Sequence, residues 1–238
     1  AKQRQVLGGI RSQRTTNYNT FHAAPGNNSS DVVALADYPN FFDWCYAYEN
    51  SGVYPFAKVA AAYGATPAPV VMFGEGHYEN ESSTLQQLRR HSYSSFLAGA
   101  RAQSYGNSPV WFFGSGWQAA LTSTGAVEQS YFAALVNSCE WWKLEPKTDN
   151  SLVTSSKGGT TAPVFPALAS DGTFAMIFVP AGQDTTVNTT ALTGVTGNVR
   201  IRIYNVTTGS FSSVATEAKT ASRVVTTTAD AVIVIDQG

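Results

Sequence analysis

The sequence predicts an α/β region followed by an all-β region, and three observations support this assignment. Through residues 1–145, strand-like apolar runs alternate with helix-like segments. Repeats of about 30 residues are typical of βαβ units with a parallel sheet. From residue 163 onward the helical spacing is lost, and short Thr- and Val-rich runs favour a small antiparallel β-sandwich. Residues 146–162, which are rich in turn formers, connect the two regions.

Each element of the first region rests on a local pattern. Buried or aromatic runs without polar alternation predict the strands, and apolar residues at helical spacing predict the helices. Ser82 or Ser83 is placed to cap the second helix. The predicted strands are 17–24, 41–48, 69–74 and 108–113, and the predicted helices are 54–63, 84–102 and 126–143.

The second region carries the patterns of short strands. Residues 174–179 and 232–235 are continuous apolar runs. Residues 199–204 alternate between apolar and polar side chains, which is the period of a half-buried strand. Residues 205–209 offer a turn between strands.

Composition excludes several functional classes. The 238 residues are 43% hydrophobic, which is enough for a substantial core, and the net charge is -1. Because there is no basic surface, we expect no nucleic-acid partner, and because no apolar run reaches about 18 residues, we expect no membrane span. Charged residues make up only 13%, about half the usual share of roughly 25%. Such a polar but weakly charged surface favours an extracellular or virion-associated protein that faces carbohydrate.

Metal, cofactor and nucleotide sites are not expected. Cys45 and Cys139 lie in aromatic surroundings and are predicted to be buried free thiols. With three histidines and no close pairing, they do not suggest zinc. Residues 114–116 lack the lysine of a phosphate loop, and no G-x-S-x-G elbow of a serine hydrolase is present. Ala1 follows no signal peptide, so we expect a processed chain or a piece of a longer one.

Glu75 follows the buried run 69–74 directly. A carboxylate at the end of such a strand is costly unless it has a partner or a function. In parallel α/β folds, chemistry takes place at the carboxyl ends of the strands. Glu75 is therefore the candidate catalytic nucleophile, with capping of the next helix or pairing with an arginine as the structural alternative.

The other strand ends carry groups suited to carbohydrate. Aromatic faces stack on sugar rings, and Asn, His and carboxylate groups bind hydroxyls. A glycosidase needs two carboxyl groups, about 5–5.5 Å apart for retention or about 6.5–9.5 Å apart for inversion. The candidate substrate-binding residues are His22, Ser30, His77, Tyr78, Glu79 and Trp117.

Several of these residues have a structural alternative. His22 could be a satisfied histidine at a strand end, Glu79 a hydrogen-bonding partner, and Trp117 a core or cap residue. His91 lies in the middle of a predicted helix and is expected to be structural. Residues 105–107 precede the predicted strand 108–113, which places them at the opposite edge of the sheet and favours a structural role, although a loop could bring them to the site.

The ordered series of motifs resembles the apiosidase-like glycoside hydrolases. The resemblance covers nearly all of the chain. The motifs that carry it are Phe21-His22 followed by PGNNSS at 25–30, PVVMFGEGHYE at 69–79, LRRHSYSSFLAGA at 88–100 and SYGNSPVW at 104–111.

The resemblance implies that residues 1–145 are the C-terminal half of a (β/α) TIM-type barrel, strands five to eight. Residues 146–238 then correspond to a small antiparallel β-sandwich that carries the label of a collagen-binding domain. Glu75 would lie at the end of strand seven, where related retaining enzymes keep the nucleophile. Their acid/base carboxylate follows strand four, whereas residues 1–10 resemble the next helix, so that acid is absent here. The family's Gln-Ser-Gly-His reads Asn-Ser-Gly-Val at residues 50–53.

Half a barrel leaves two open edges and an uncovered apolar face. We therefore expect a second polypeptide, a second copy or a larger assembly to complete the barrel. The predicted function is a glycoside hydrolase, or its C-terminal fragment, that acts on polysaccharide side chains. The alternative is a non-catalytic structural or glycan-binding module of a virion or cell-surface assembly.

Overall fold

The computed structural model describes residues 19–31, 41–48, 54–66, 69–155 and 163–238. The helices of these segments are α1 Pro55–Tyr63, α2 Leu85–Leu97, α3 Ser108–Trp111, α4 Trp117–Ala120 and α5 Thr124–Asn137. The first strands are β1 Phe42–Tyr46, β2 Val70–Glu75, β3 Tyr78–Glu79, β4 Ala102–Gln103 and β5 Gly106–Asn107. The later strands are β6 Leu144–Pro146, β7 Phe165–Ala169, β8 Ala175–Val179, β9 Asp184–Val187, β10 Asn198–Asn205, β11 Ser210–Ala218, β12 Arg223–Thr226 and β13 Ala231–Gln237.

A parallel sheet organises the first region. Its strands run in the order β1-β2-β4, and Asn19 adds a parallel bridge to Phe41 ahead of β1. The strands predicted at 41–48 and 69–74 are thus confirmed, whereas the strand predicted at 17–24 is a single bridge within its described part. Residues 50–53, where the family motif is altered, lie outside the described residues.

Helices α1 and α2 pack against one face of the parallel sheet, on a small core that includes Val59, Val71 and Phe73. The capping residue of α2 is Thr84, which accepts a hydrogen bond from the backbone N–H of Gln87 in a capping box. The prediction of a serine cap was therefore wrong by one or two positions.

Helix α2 ends at Leu97, five residues earlier than predicted. Gly99 follows with φ of 119°, a backbone conformation that favours glycine and stops the helix. The early end releases Ala102–Gln103 to pair with β2 as the next parallel strand. That pairing takes the place that the sequence had assigned to residues 108–113.

The predicted strand at 108–113 was wrong. Residues 108–111 form a single helical turn, with Pro109 in its first turn, where a missing N–H does no harm. Trp111, Phe112 and Phe113 of this run are exposed, and Val110 is half-buried. An apolar run alone does not distinguish a buried strand from an exposed turn.

A six-stranded antiparallel sheet dominates the second region, with strand order β11-β10-β13-β8-β7-β6. One face packs against the two-stranded sheet β9–β12 through a core that includes Ile177 and Ile233. The other face packs against α2 and α5 through Tyr93, Phe132 and Phe178. Because both faces are covered, β8 and residues 231–235 of β13 are unbroken apolar runs.

A buried ionic cluster joins the two regions. The Nη1 atom of Arg89 on α2 lies 3.0 Å from both carboxylate oxygens of Glu128 on α5. Its Nε atom lies 3.4 Å from Asp230, just before β13. Asp230 also accepts hydrogen bonds from Gln86 and from the backbone N–H of Ala181. The helices of the first region are thereby fixed to the large sheet.

Two further expectations concern the cysteines and membrane spans. Both cysteines lie in described segments and neither forms a disulfide, but Cys139 is half-buried, whereas Cys45 is fully buried. Burial raises the pKa of the Cys139 thiol to about 11. Among the described helices, none has the length and apolar character needed to cross a bilayer.

Candidate active site

A bulge at the end of β2 sets the direction of the Glu75 side chain. Up to Phe73, β2 pairs with β1 in a regular register, but Tyr46 then pairs with Glu75 and Gly74 is skipped. In a regular strand, Glu75 would share the helix-packed face of Val71 and Phe73. The extra residue reverses that alternation. Glu75 therefore faces the same side of the sheet as Tyr46.

Glycine is required at position 74. The indole of Trp44 on β1 covers this residue so closely that an added Cβ atom would lie 2.1 Å from Trp44 Cε2. No side chain larger than hydrogen fits without moving the indole. The close contact holds the indole of Trp44 against the bulge, next to Glu75.

Hydrogen bonds with neighbouring side chains orient the carboxylate of Glu75. Its Oε2 atom lies 2.6 Å from Nε2 of His22, and its Oε1 atom accepts a hydrogen bond of 3.0 Å from the hydroxyl of Tyr78. Burial and this bond raise the pKa of Tyr78 to about 12, so the phenol keeps its proton to donate. The side chain of Glu75 remains 16% exposed. A ligand can therefore reach the carboxylate.

Aromatic residues of β1 complete this face, and the sequence reasoning did not single them out. Trp44 and Tyr46 flank the ring of His22 at centroid distances of 5.1 and 5.3 Å. The hydroxyls of Tyr46 and Tyr48 lie 2.9 Å apart. Burial, together with hydrogen bonds to Tyr48 and Glu75, raises the pKa of Tyr46. The sequence did contain a signal for them: aromatic residues occur at alternate positions 44, 46 and 48, and alternate residues of a strand share one face, although β1 itself ends at Tyr46.

His77 lies in the same group, between Tyr48 and the buried His91. Its ring stacks on His91 at 5.4 Å and contacts Tyr48 at 5.1 Å. His91 also contacts the ring of Phe73 edge to face. His91 is thus a packing residue beneath the site, as its position in a helix suggested.

A cleft of about 210 Å³ opens beside Glu75. It is smaller than most ligand pockets, which measure about 300–1,000 Å³. Tyr105, Gly106 and Asn107 contribute to its wall, although the sequence had assigned them to the opposite edge. These residues reach the cleft because β5 pairs in parallel with β3, the short strand that begins three residues after Glu75. Among the described residues that line the cleft, Glu75 is the one carboxylate.

Glu79 is close in sequence but turned into the protein. Its carboxylate accepts hydrogen bonds from the hydroxyls of Tyr105 and Ser123, the amide of Asn107 and the backbone N–H of Gly125. The last of these groups belongs to the first turn of α5, where a carboxylate is stabilised by the helix dipole. Its contacts match the alternative of a hydrogen-bonding partner.

These contacts predict how stability changes with pH. Burial acts to raise the pKa of Glu79, but the bonds from Ser123, Tyr105 and Gly125 outweigh it and hold the pKa below the ordinary value of 4.5. The ionised group therefore stabilises the fold above pH 4.5, and this contribution is lost as the pH falls through the lower folded pKa. We expect Glu79→Gln to lower the free energy of unfolding at pH 7 by about 1.5–3 kcal/mol.

Urea unfolding between pH 3 and 7 measures this effect. The variant should lose less stability than the wild type below pH 4.5, and the exposed Glu81→Gln should behave like the wild type. Equal pH profiles for Glu79→Gln and the wild type would contradict the assignment.

Two other candidates lie apart from Glu75. Ser30 binds the buried carboxylate of Asp43 through its N–H and its hydroxyl, at 2.9 and 2.7 Å. Burial raises the pKa of Asp43, against the effect of these bonds. Trp117 begins α4 and packs edge to face against Phe113. No group of three or more His, Cys, Asp or Glu side chains in the described segments could hold a metal ion.

Comparison with known proteins identifies similar chains. The family model described as "Apiosidase-like, catalytic domain" matches residues 2–143, more than half of the sequence. A solved structure described as "Glycoside hydrolase" superposes with a TM-score of 0.81 at 17% identity, over 97% of this chain and 60% of that one. A glycoside hydrolase family 5 protein from Bacteroides vulgatus ATCC 8482 gives 0.81 at 18% identity, over 97% and 57%. No curated protein matches the sequence.

These matches confirm the resemblance found in the sequence as far as the apiosidase-like family. The solved structures are glycoside hydrolases of the TIM-barrel type, and the chain spans less than two thirds of each. At such low identity the similarity shows the fold alone, since one barrel fold supports many reactions.

Proposed function

Because this chain belongs to the apiosidase-like family of glycoside hydrolases, we propose that it forms part of a retaining enzyme in which Glu75 is the nucleophile. The substrate is a polysaccharide side chain, and the protein acts outside the cell. In this proposal, His22, His77 and Tyr78 surround the reacting sugar, while Glu79 holds α5 in place. Ser30 fixes residues 28–31 to Asp43 of β1, and Trp117 binds the sugar chain outside the cleft.

The orientation of Glu75 is the observation that carries the proposal. A nucleophile must be ionised, fixed in direction and open to the anomeric carbon. The bulge at Gly74 turns Glu75 out of the helix-packed core, and bonds to His22 and Tyr78 hold it. A purely structural carboxylate would be enclosed in the manner of Glu79.

The acid/base carboxylate comes from elsewhere in the complete enzyme. A retaining mechanism needs a second carboxyl group about 5–5.5 Å from the nucleophile. We propose that this chain supplies one half of a (β/α) barrel, and that further polypeptide supplies the remaining strands together with the acid. The small volume of the cleft, about 210 Å³, supports this arrangement, because most ligand pockets measure about 300–1,000 Å³.

A panel of aryl glycosides tests the proposed function. The complete enzyme contains this chain together with the polypeptide that closes the barrel. We expect it to release phenolate from at least one member, and proton NMR should show the first sugar product with retained anomeric configuration. An inverted product would reject the nucleophile, and no cleavage by folded protein would favour the non-catalytic glycan-binding alternative.

A further inference from the structure

Four aromatic side chains within residues 111–117 form a surface that is here named the aromatic ledge: the exposed Trp111, Phe112 and Phe113, and the half-buried Trp117. Trp111 also lines the cleft that contains Glu75. The exposed fractions of Trp111, Phe112 and Phe113 are 62%, 53% and 72%. Contiguous exposed apolar patches are uncommon in soluble proteins and mark binding surfaces.

The ledge is held in one conformation by its own packing. Trp111 and Phe112 form one edge-to-face pair at 5.0 Å, and Phe113 and Trp117 form another at 5.3 Å. The ring of Phe112 lies so close over Gly114 that an added Cβ atom would be 2.1 Å from it. Backbone hydrogen bonds within residues 109–117 close the turn beneath these rings. The aromatic faces are therefore presented without a large loss of entropy on binding.

Phe113 adds an independent observation. Its φ of 53° lies in the left-handed region, which is a genuine outlier for a bulky residue. Such strain persists where the surrounding structure enforces it, and it is concentrated at functional sites. Burial does not compensate it, because the ring is the most exposed of the ledge. The turn is built to place this ring outward.

The segment that carries the ledge has no ionisable acid or base of the Asp, Glu, Lys, Arg or His type. None occurs between residues 102 and 127, although Arg101 and Glu128 flank the stretch. A site for a uronic acid would require a cation to pair with its carboxylate. Flat aromatic faces with neutral polar neighbours instead suit the C–H face of an uncharged pyranose or furanose ring.

We propose that the aromatic ledge binds neutral sugar residues of a polysaccharide next to the bond that Glu75 cleaves. The position of that bond rests on the proposed function, whereas binding by the ledge can be measured without turnover. Continuity with the cleft through Trp111 makes the polysaccharide the occupant, because one chain can lie across both surfaces.

Affinity electrophoresis of the complete protein carrying Glu75→Gln tests the ledge in the absence of hydrolysis. The gels contain arabinan, galactan, xyloglucan or anionic polygalacturonate. We expect at least one neutral polymer to retard the protein. Trp111→Ala should weaken that retention at least about tenfold, a change equal to about 1.4 kcal/mol. Phe113→Ala should act in the same direction.

Two exposed aromatic residues away from the ledge provide matched controls. Trp142 is 59% exposed and Phe211 is 41% exposed, and replacing either with alanine should leave retention unchanged. Retention that is equal in the ledge variants and the controls overturns the proposal. So does retention by polygalacturonate alone, or no retention by any neutral polymer, which would indicate that polypeptide covers the ledge.

The two proposals fail separately. Suppose that the ledge variants lose retention while the enzyme with Glu75 intact turns over no glycoside. Binding by the ledge is then supported and the proposed hydrolase activity is rejected. Turnover that depends on Glu75, combined with unchanged retention in the ledge variants, rejects the ledge alone.

Discussion

Replacement of Glu75 by alanine in the complete enzyme is expected to lower kcat/KM at least about a thousandfold, because the first step of a retaining mechanism is bond formation between the nucleophile and the anomeric carbon. In the proposed mechanism, the Glu75 carboxylate attacks the anomeric carbon and the aglycone leaves with the bonding electrons. Alanine cannot form that bond, and the missing carboxylate leaves a space next to His22 and Tyr78. Aryl glycoside turnover at saturating and limiting substrate measures the loss.

Added azide is expected to restore release of phenolate from an activated substrate in Glu75→Ala. The azide ion enters the vacated space and attacks the anomeric carbon, while the phenolate leaves with its bonding electrons, so the product is a glycosyl azide. A single displacement inverts the configuration, whereas rescue of a lost acid/base residue would retain it. The configuration of the azide product by proton NMR therefore identifies the role of Glu75.

A matched carboxylate controls this experiment. Glu81 is exposed and lies six residues further on, so Glu81→Ala should keep wild-type turnover and should not respond to azide. Unchanged turnover in Glu75→Ala would remove Glu75 from the mechanism. A retained glycosyl azide would assign it the acid/base role instead.

Elements near the site were predictable where the local pattern of apolar residues determines the secondary structure. The run at 69–74 became β2 because its residues pack against helices on one face. Helix α1 followed from apolar spacing, and in the structure it begins with Pro55 in its first turn. In the second region, the runs at 174–179 and 232–235 became β8 and β13, since sheets and helices cover both of their faces.

The direction of Glu75 was not predictable from alternation. In a regular strand, alternate residues share a face, so Glu75 would point into the core with Val71 and Phe73. The bulge at Gly74 directs it to the opposite face. The sequence contains a glycine there, but a glycine in a strand suggests either a bulge or a close backbone approach. The bulge occurs here, and the close approach is by a side chain instead of a backbone, because the indole of Trp44 lies on Gly74.

The wall of the cleft was misplaced for a different reason. Residues 108–113 matched a buried strand in apolar character, so the fourth strand was assigned six residues too late. Pairing of Ala102–Gln103 with β2 depends on where α2 ends, and Gly99 sets that end through its positive φ. Tyr105 and Asn107 therefore line the cleft. The predicted order of the strands did not contain this information.

The second large effect is expected in the stability of the chain. Arg89→Met should lower the free energy of unfolding by about 3–5 kcal/mol, the usual loss when one partner of a buried ion pair is removed. Glu128 and Asp230 would then be two carboxylates that share a buried site without their cation. Their side chains are only 5% and 2% exposed, so solvent cannot replace the guanidinium. Urea unfolding at pH 7, followed by circular dichroism, measures the loss.

An exposed pair gives the matched control. Arg200 binds Asp236 with similar geometry, but its side chain is 46% exposed, so Arg200→Met should cost about 1 kcal/mol or less. If Arg89→Met and Arg200→Met lower the free energy of unfolding by similar amounts, burial of the Arg89 cluster does not increase its contribution to stability.

A double substitution separates the charge from the packing of Arg89. If uncompensated charge causes the loss, adding Glu128→Gln to Arg89→Met should recover part of it, because an amide removes one of the two buried carboxylates. If the loss came only from the packing of the arginine stem, the second change would recover nothing. The cluster also bears on the site, since Arg89 on α2 is fixed through Asp230 to the turn before β13. Arg89 does not line the cleft. Its replacement would therefore act on the site by releasing α2 and not by loss of a contact with the substrate.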